Sequence, residues 1–440
     1  MIKRRRFPRI FFGWWTVLTS GFLTMWGFGY YRYGISALFK PIASELGFSR
    51  AVTSVAASIG RLEGGFEAPL TGWVTDKYGP RWPVLIGVFL VGLGLILMNY
   101  VNSLWTYYVV WGVILGTGFN AAVGVPMSTA ITNWFVKKRG LAMGIIRVFT
   151  GFAGVLVLPL VAWLITIQSW QMTCLIGGVV MLLIGLPLAW FCFKRYRPEY
   201  YGLLPDGATA EKQVAGTDQM IDSGVEYAAE VEEVEFTLRQ AMRTPAYWLL
   251  LVAPTCHMLV GPSINIHLIP FLTDRGIDPL RAAGMMAIMV LAGIPSRFFG
   301  GLMADRLRRH HLRFLLGGAY LLEAVGIAIF LLNPESTFLI YVWFIVYGTG
   351  MGAANTLGTP VKARYFGRKA FGSISGFSSL FMMPIVIVAP IYAGWVYDTT
   401  GSYITVFTLF AVLLAFATVL MSLASPPKPP AQITDVRKIV

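Results

Sequence analysis

Long apolar runs, broken at short intervals by clusters of charge, glycine and proline, recur along nearly the whole 440-residue chain. About twenty apolar residues is the length a helix needs to cross the hydrocarbon core of a bilayer. The pattern predicts twelve such spans, near 12–39, 52–74, 82–101, 104–134, 140–167, 170–193, 245–271, 280–303, 314–333, 337–360, 370–395 and 402–424. A polar stretch from about Lys194 to Arg243 divides them six and six. The expected fold class is all-α, a polytopic membrane protein. Its expected parts are a six-helix bundle over 1–193, a cytoplasmic linker over 194–244, a second bundle over 245–424 and a cytoplasmic tail over 425–440.

Composition agrees, with 56% hydrophobic residues and 13% charged, where soluble domains carry about a quarter. The net charge of +14 raises the question of a nucleic-acid partner, and its distribution answers it. Twenty-seven of the 35 Lys and Arg fall in the N-terminal tail, the even-numbered loops and the C-terminal tail. Only Lys40, Arg50, Arg275 and Arg281 fall in the odd-numbered loops. This positive-inside bias puts both termini in the cytoplasm of a multi-pass protein of the plasma (cell inner) membrane. The basic excess orients the chain in lipid and implies no nucleic acid.

The opening MIKRRRFPRIFFGWW has the basic region of a secretory signal. The apolar run after it is too long and lacks a small-residue cleavage site, so a retained first helix is expected. Cys174, Cys192 and Cys256 all fall within spans and have no metal-ligand spacing, so neither a disulfide nor a metal site is expected. The acidic EYAAEVEEVEF reads as a solvated linker leading into an amphipathic helix on the membrane surface.

The two halves repeat each other. Gly72, Asp76, Lys77 and Arg81 follow the second span, and Gly301, Asp305 and Arg306 follow the eighth, which is second in its own half. Gly116-Thr117-Gly118 in the fourth span matches Gly348-Thr349-Gly350 in the tenth, and both spans then reach a proline, Pro126 and Pro360. Matched halves are expected of a transporter with its site between the repeats. The glycines let helices approach closely, and the aspartates at helix ends can pair with basic loops or helix termini.

The GxxxD(K/R) stretches on a six-plus-six frame resemble the major facilitator superfamily. NWFVKKRGLAMGI, RPEYYGLLPDG, FTLRQAMRTPAYW and RYFGRKAFGSISGF narrow the resemblance to its monocarboxylate-transporter and oxalate/formate-antiporter branch. The resemblance implies two pseudo-symmetric six-helix halves, with the loop cluster acting as a conformational latch. It also implies a substrate-binding arginine four residues before the loop-motif glycine, a relation Arg297 holds to Gly301. Three departures stand out. The aspartate that animal-type carriers place one turn before that arginine is Gly293 here. Their lysine late in the first span aligns with Tyr33, beside Arg32. The lysine that the antiporter has within its eleventh span is missing from the apolar part of this one.

Seven Arg and Glu residues lie within the predicted spans: Arg32, Arg61, Arg147, Arg297, Glu63, Glu67 and Glu323. A charge at mid-membrane costs about 3 kcal/mol unless paired or hydrated, so each is a functional candidate. Arg297 can grip a carboxylate with two parallel hydrogen bonds. Glu63 and Glu67 share a helical face, with Arg61 roughly 160° away from Glu63. Two carboxylates one turn apart resist joint ionisation, which suits proton coupling or a gate; a static ion cluster with Arg32 on the first span is the competing reading. Arg147 is expected to reach back toward the cytoplasmic surface, and Glu323 has no assigned role. Arg32, Tyr33, Asn120, Asn355 and His257 are expected to complete the substrate cavity, Arg32 adding positive potential or a gate and His257 also serving as a secondary proton site.

These features predict a secondary transporter of a small monocarboxylate anion, working by alternating access and coupled to protons. Its partners are the anion, protons and the lipid bilayer, and it is expected to act as a monomer without cofactors. Exchange of one carboxylate for another is the alternative, and a non-transporting receptor on the same frame is a further one. No nucleophile–base pair, metal cluster or phosphate loop marks an enzyme.

Overall fold

The computed structural model describes residues 10–47, 50–208, 217–230 and 234–428, with the Arg61 side chain outside what is described. Twelve long helices follow one another among these residues. They are α1 (12–46), α2 (Arg50–Tyr78), α3 (Arg81–Tyr100), α4 (Leu104–Trp134), α5 (Arg139–Ile167), α6 (Trp170–Cys192), α7 (Pro245–Thr273), α8 (Pro279–Arg306), α9 (Leu312–Leu332), α10 (Thr337–Phe366), α11 (Phe371–Thr400) and α12 (Ile404–Leu423). Nine helices among the described residues are long and apolar enough to cross a membrane. The other three are α1, α2 and α11. They each contribute residues to a polar cavity, as do α4, α5 and α10.

Apolar side chains pack within each half. Leu23, Val88, Trp111, Leu115 and Met181 lie in the core of α1–α6. Ile264, Trp343 and Phe407, with Tyr247, Leu316 and Phe366, fill that of α7–α12. Two glycine pairs show the repeat in three dimensions. A side chain at Gly116 would meet the Gly60 backbone of α2, and one at Gly118 would meet the Val91 nitrogen of α3. One at Gly348 would meet the Met289 carbonyl of α8, and one at Gly350 the Ala319 carbonyl of α9. In each half the fourth helix thus rests, glycine to backbone, on the second and third. Such contact lets helices associate by close packing where lipid supplies no hydrophobic drive.

In the chain between the halves the acidic segment exposes Glu226, Glu230 and Glu235, as a solvated linker does, while the stretch before it is packed against the helices. Glu199 and Asp206 are buried. The Asp206 carboxylate accepts from the backbone nitrogens of Val136, Lys137 and Lys138 at 3.1, 2.8 and 3.0 Å, satisfying the donors of the α4–α5 turn. Glu199 pairs with Arg368 at 3.0 Å, and Arg368 also donates to the Asn133 carbonyl of α4. Phe236 packs on Phe366. The short helix Thr217–Ala229 lies against this assembly, with Lys137 over the ring of its Tyr227 at 4.1 Å. Loop carboxylates are held here because unpaired backbone N–H groups and a buried guanidinium await them.

Glu323, unassigned from the sequence, is fully buried on α9 and pairs with His257 of α7 at 3.0 Å. The imidazole also stacks on Tyr320 at 5.3 Å. Removing one partner of a buried ion pair costs about 3–5 kcal/mol, whereas replacing both with apolar groups is often neutral. Glu323→Gln is therefore expected to lower the thermal midpoint of the purified protein. The double change His257→Leu/Glu323→Met should recover most of the loss. Equal midpoints for wild type and Glu323→Gln would rule the pair out as a stability element.

Candidate functional site at the junction of the halves

Two carboxylates tie the halves together at the end that carries the α2–α3 and α8–α9 loops. Asp76, at the end of α2, accepts from the Gly372 and Ser373 nitrogens at 2.9 and 2.6 Å and from the Ser373 hydroxyl at 2.6 Å. These donors are in the first turn of α11. Asp305, at the end of α8, accepts from the Gly140 and Leu141 nitrogens at 2.6 and 2.7 Å, in the first turn of α5. Each aspartate follows the second helix of its half and caps the fifth helix of the other. Helix N-termini present unpaired donors and partial positive charge, so a carboxylate belongs there.

Gly72 and Gly301 make the approach possible. A side chain at Gly72 would meet the Gly372 carbonyl, and one at Gly301 the Gly140 carbonyl. The basic members of the motif stand elsewhere. Lys77 lies over the rings of Trp73 and Tyr78 at 4.9 and 5.2 Å, and Arg81 over Trp190 at 4.4 Å. Arg306 is exposed and forms no ion pair with Asp305. The aspartates are bound by helix termini, with Arg197 near Asp76 and Arg364 near Asp305 adding positive charge from outside the motif.

Behind these ties lies a cavity of about 310 Å³, walled by α1, α2, α4 and α5 of one half and α10 and α11 of the other. Its charged lining, among the described residues, is Arg32, Arg147 and Lys362, all basic. Arg32 comes from the π-helical turn Phe28–Tyr33, where an extra residue per turn widens α1; such turns occur often at functional sites. Its guanidinium sits over the rings of Tyr31 and Phe119 at 5.7 and 5.2 Å. Tyr33 stands within electrostatic reach of Arg297, Arg147 and Arg32 together. Asn120 lines the cavity and donates to the Gly60 carbonyl at 3.2 Å.

Arg297 itself is 6% exposed and lies beside the cavity wall rather than on it. It donates to the Arg147 carbonyl at 3.3 Å, and no carboxylate of the described residues pairs with it. Arg147 does not extend to the surface as expected. It lines the cavity, and its Nε is buried without a partner. The reason is the tight crossing of α5 and α8, where Gly144 rests against the Arg297 carbonyl and turns the Arg147 face inward.

Three further expectations change. Arg32 sits over the Tyr31 and Phe119 rings, and Glu63 accepts from the Thr117 hydroxyl of α4. Glu67 keeps one carboxylate oxygen buried without a hydrogen bond. His257 is enclosed in the second half by Glu323, and Asn355 beside it bonds back to the Met351 carbonyl at 2.8 Å, so neither lines the cavity. The tenth span, expected to end at residue 360, continues as α10 to Phe366 and carries Lys362 into the cavity wall. The one-turn spacing of Lys362 from Gly358 on the cavity face was the available signal.

Residues 17–384, and again 310–439, match the family model of the Major Facilitator Superfamily. The chain is 25% identical over 425 residues to "Monocarboxylate transporter 13" of Rattus norvegicus, covering 96% of this chain and 91% of that protein. It is 24% identical over 444 residues to "Oxalate:formate antiporter" of Oxalobacter formigenes, covering 97% and 96%. Among solved structures, the proton:xylose symporter XylE superposes with a TM-score of 0.71 at 10% identity, covering 93% of this chain and 95% of that one. That likeness concerns the fold.

Hydrogen bonds to a charged acceptor contribute about 1.5–3 kcal/mol. Asp76→Ala and Asp305→Ala are each expected to shift the balance away from the tied geometry by roughly tenfold or more. Ser128→Cys, placed in the cavity wall, should then react correspondingly faster with a membrane-impermeant thiol reagent added from the loop-motif side. The native cysteines are all buried and give a low background. Unchanged labelling in both variants would mean the aspartates do not hold this end shut.

Proposed function

The chain belongs to the major facilitator superfamily, and from that membership we propose that it carries a small monocarboxylate anion across the plasma membrane by alternating access, coupled to protons. The observation that carries this reading is the cavity at the junction of the halves, whose charged lining among the described residues is wholly basic. Cations held where water is scarce favour an anion over any neutral solute. Relatives named as monocarboxylate transporter and oxalate:formate antiporter support an organic acid as that anion.

In the proposed cycle the Asp76 and Asp305 bonds close the cytoplasmic end, and the two halves rock about the cavity. Arg297 receives the carboxylate once it is released from the Arg147 carbonyl, with Tyr33 and Asn120 beside it. Glu63 and Glu67, on the α2 face next to the cavity, exchange protons as the halves move. Protonation removes the charge of a carboxylate buried on α2, so proton and anion together move less charge than either alone. Carboxylate exchange without protons is a second reading, favoured by the oxalate:formate relative.

The test is uptake of radiolabelled lactate into proteoliposomes, with and without an inward proton gradient. Gradient-driven accumulation is expected in the wild type and loss of at least 90% of it in Arg297→Lys, because a lysine cannot reproduce the two-pronged grip. Glu67→Gln should retain counterflow while losing the response to the gradient. Uptake that ignores the gradient but rises on preloading with a second carboxylate would establish exchange instead. Absence of both would remove the carrier reading.

A further inference from the structure

A titratable pair is sealed inside the second half, away from the anion cavity. Nδ1 of His257 stands 3.0 Å from Oε1 of Glu323 and 3.1 Å from Oε2, and both side chains are buried. Asn355 of α10 also hydrogen-bonds the imidazole. Tyr320 of α9 and Tyr347 of α10 stand within electrostatic reach of Glu323, and Cys256 of α7 within reach of Tyr320. α12, which packs on both α7 and α9, carries no titratable side chain over Ile404–Leu423. On α8, Arg297 turns away to the Arg147 carbonyl of α5. On α11, Tyr392, Tyr397 and Asp398 lie toward the C-terminal end, where Tyr397 donates to Asp274. Among the described residues no Lys or Arg joins the pair, so the charge that matches the Glu323 carboxylate is a proton held between carboxylate and imidazole.

The helix that carries His257 is weakened on both sides of it. Pro254 and Pro262 lie three residues before and five after. Each removes the backbone donor that would reach the carbonyl four residues earlier, at Leu250 and Met258. Sharp bends in helices form at such positions. The other side of the pair is fixed. α9 rests on α10 and α12, and a side chain at Gly350 of α10 would meet the Ala319 carbonyl and the Glu323 nitrogen. Bending α7 therefore draws the imidazole off a carboxylate that stays in place. The Tyr347 hydroxyl, buried without a hydrogen bond, is the donor left for that carboxylate.

We propose that His257 and Glu323 form a proton-binding site of the second half, which holds one proton while the halves are tied and gives it up when α7 bends away from α9. The proton passes from His257 Nδ1 to water admitted by the bend. The imidazole becomes neutral, and the carboxylate stays ionised and accepts from the Tyr347 hydroxyl. Return of α7 reverses the transfer. This site is separate from Glu63 and Glu67, which lie on α2 in the other half. The inference rests on the alternating movement of the proposed function and is independent of which anion is carried.

The test reads the balance of geometries without a ligand. Spin labels at Lys138→Cys and Lys369→Cys, exposed positions in the α4–α5 turn and the α10–α11 loop, report the distance between the halves in lipid nanodiscs. The native cysteines are buried. Double electron–electron resonance across the range in which imidazole titrates gives the ratio of separated to tied molecules. A proton bound in one geometry and absent from the other changes that ratio by about tenfold per pH unit. Imidazole in water loses its proton at about pH 6.5, so the separated fraction is expected to rise above that pH. In His257→Leu/Glu323→Met, the double change expected to retain stability, the slope should fall by about one decade per pH unit. Glu323→Gln should lower it likewise. A wild-type ratio that does not vary with pH overturns the proposal, as does a slope unaltered in both variants. Lactate uptake by the same preparations keeps the two readings apart. Gradient-driven uptake alongside a flat ratio removes the proton site and leaves the carrier, whereas the expected loss of slope without uptake keeps the site and removes lactate.

Discussion

The molecule depends on a charge placed where a helix begins. Each half ends its second helix on an aspartate, and each aspartate is satisfied by the free backbone donors of the other half's fifth helix. A helix start cannot satisfy its own first N–H groups, and a carboxylate leaving the membrane needs a partner. The two needs are met together only when the halves meet. Each of these bonds to a carboxylate contributes about 1.5–3 kcal/mol, so a few of them hold one arrangement and remain within what a ligand can reverse.

The glycines at this end follow from the same constraint. Gly72 and Gly372, Gly301 and Gly140 bring backbones so close that a methyl group would collide with a carbonyl. Without that approach the carboxylates could not reach the helix starts. The same economy of size places Gly116, Gly118, Gly348 and Gly350 under the fourth helix of each half. Rigid halves joined by a reversible seam are what such packing produces.

The seam also sorts charge. Glu63 is taken by Thr117 and Glu323 by His257, both within their own half. The linker carboxylates Glu199 and Asp206 bind Arg368 and the α4–α5 turn. Arg147 and Lys362 meet no carboxylate and line the space between the halves. The charged lining of the junction is therefore basic among the described residues, with Glu67 of α2 standing beside it, one carboxylate oxygen buried without a hydrogen bond.

How much of this is legible in the chain divides along a physical line. Helix length, the repeat and the paired loop motifs depend on local periodicity and on residue types at fixed spacing, and these are readable directly; the spans, the Gly-Thr-Gly pairs and the two Gly-to-Asp stretches came from the sequence alone. Which way a helix faces depends on its rotation against neighbours distant in the chain. Arg147 turns inward because Gly144 rests on α8, Arg32 lies over the Tyr31 and Phe119 rings, and Lys362 joins the cavity because α10 runs on to Phe366. Sequence determined that charges lie within the membrane and that two halves repeat. Only tertiary packing decided which charges neutralise one another and which are left facing the space between, because pairing is set by distances across helices that no spacing along one helix contains.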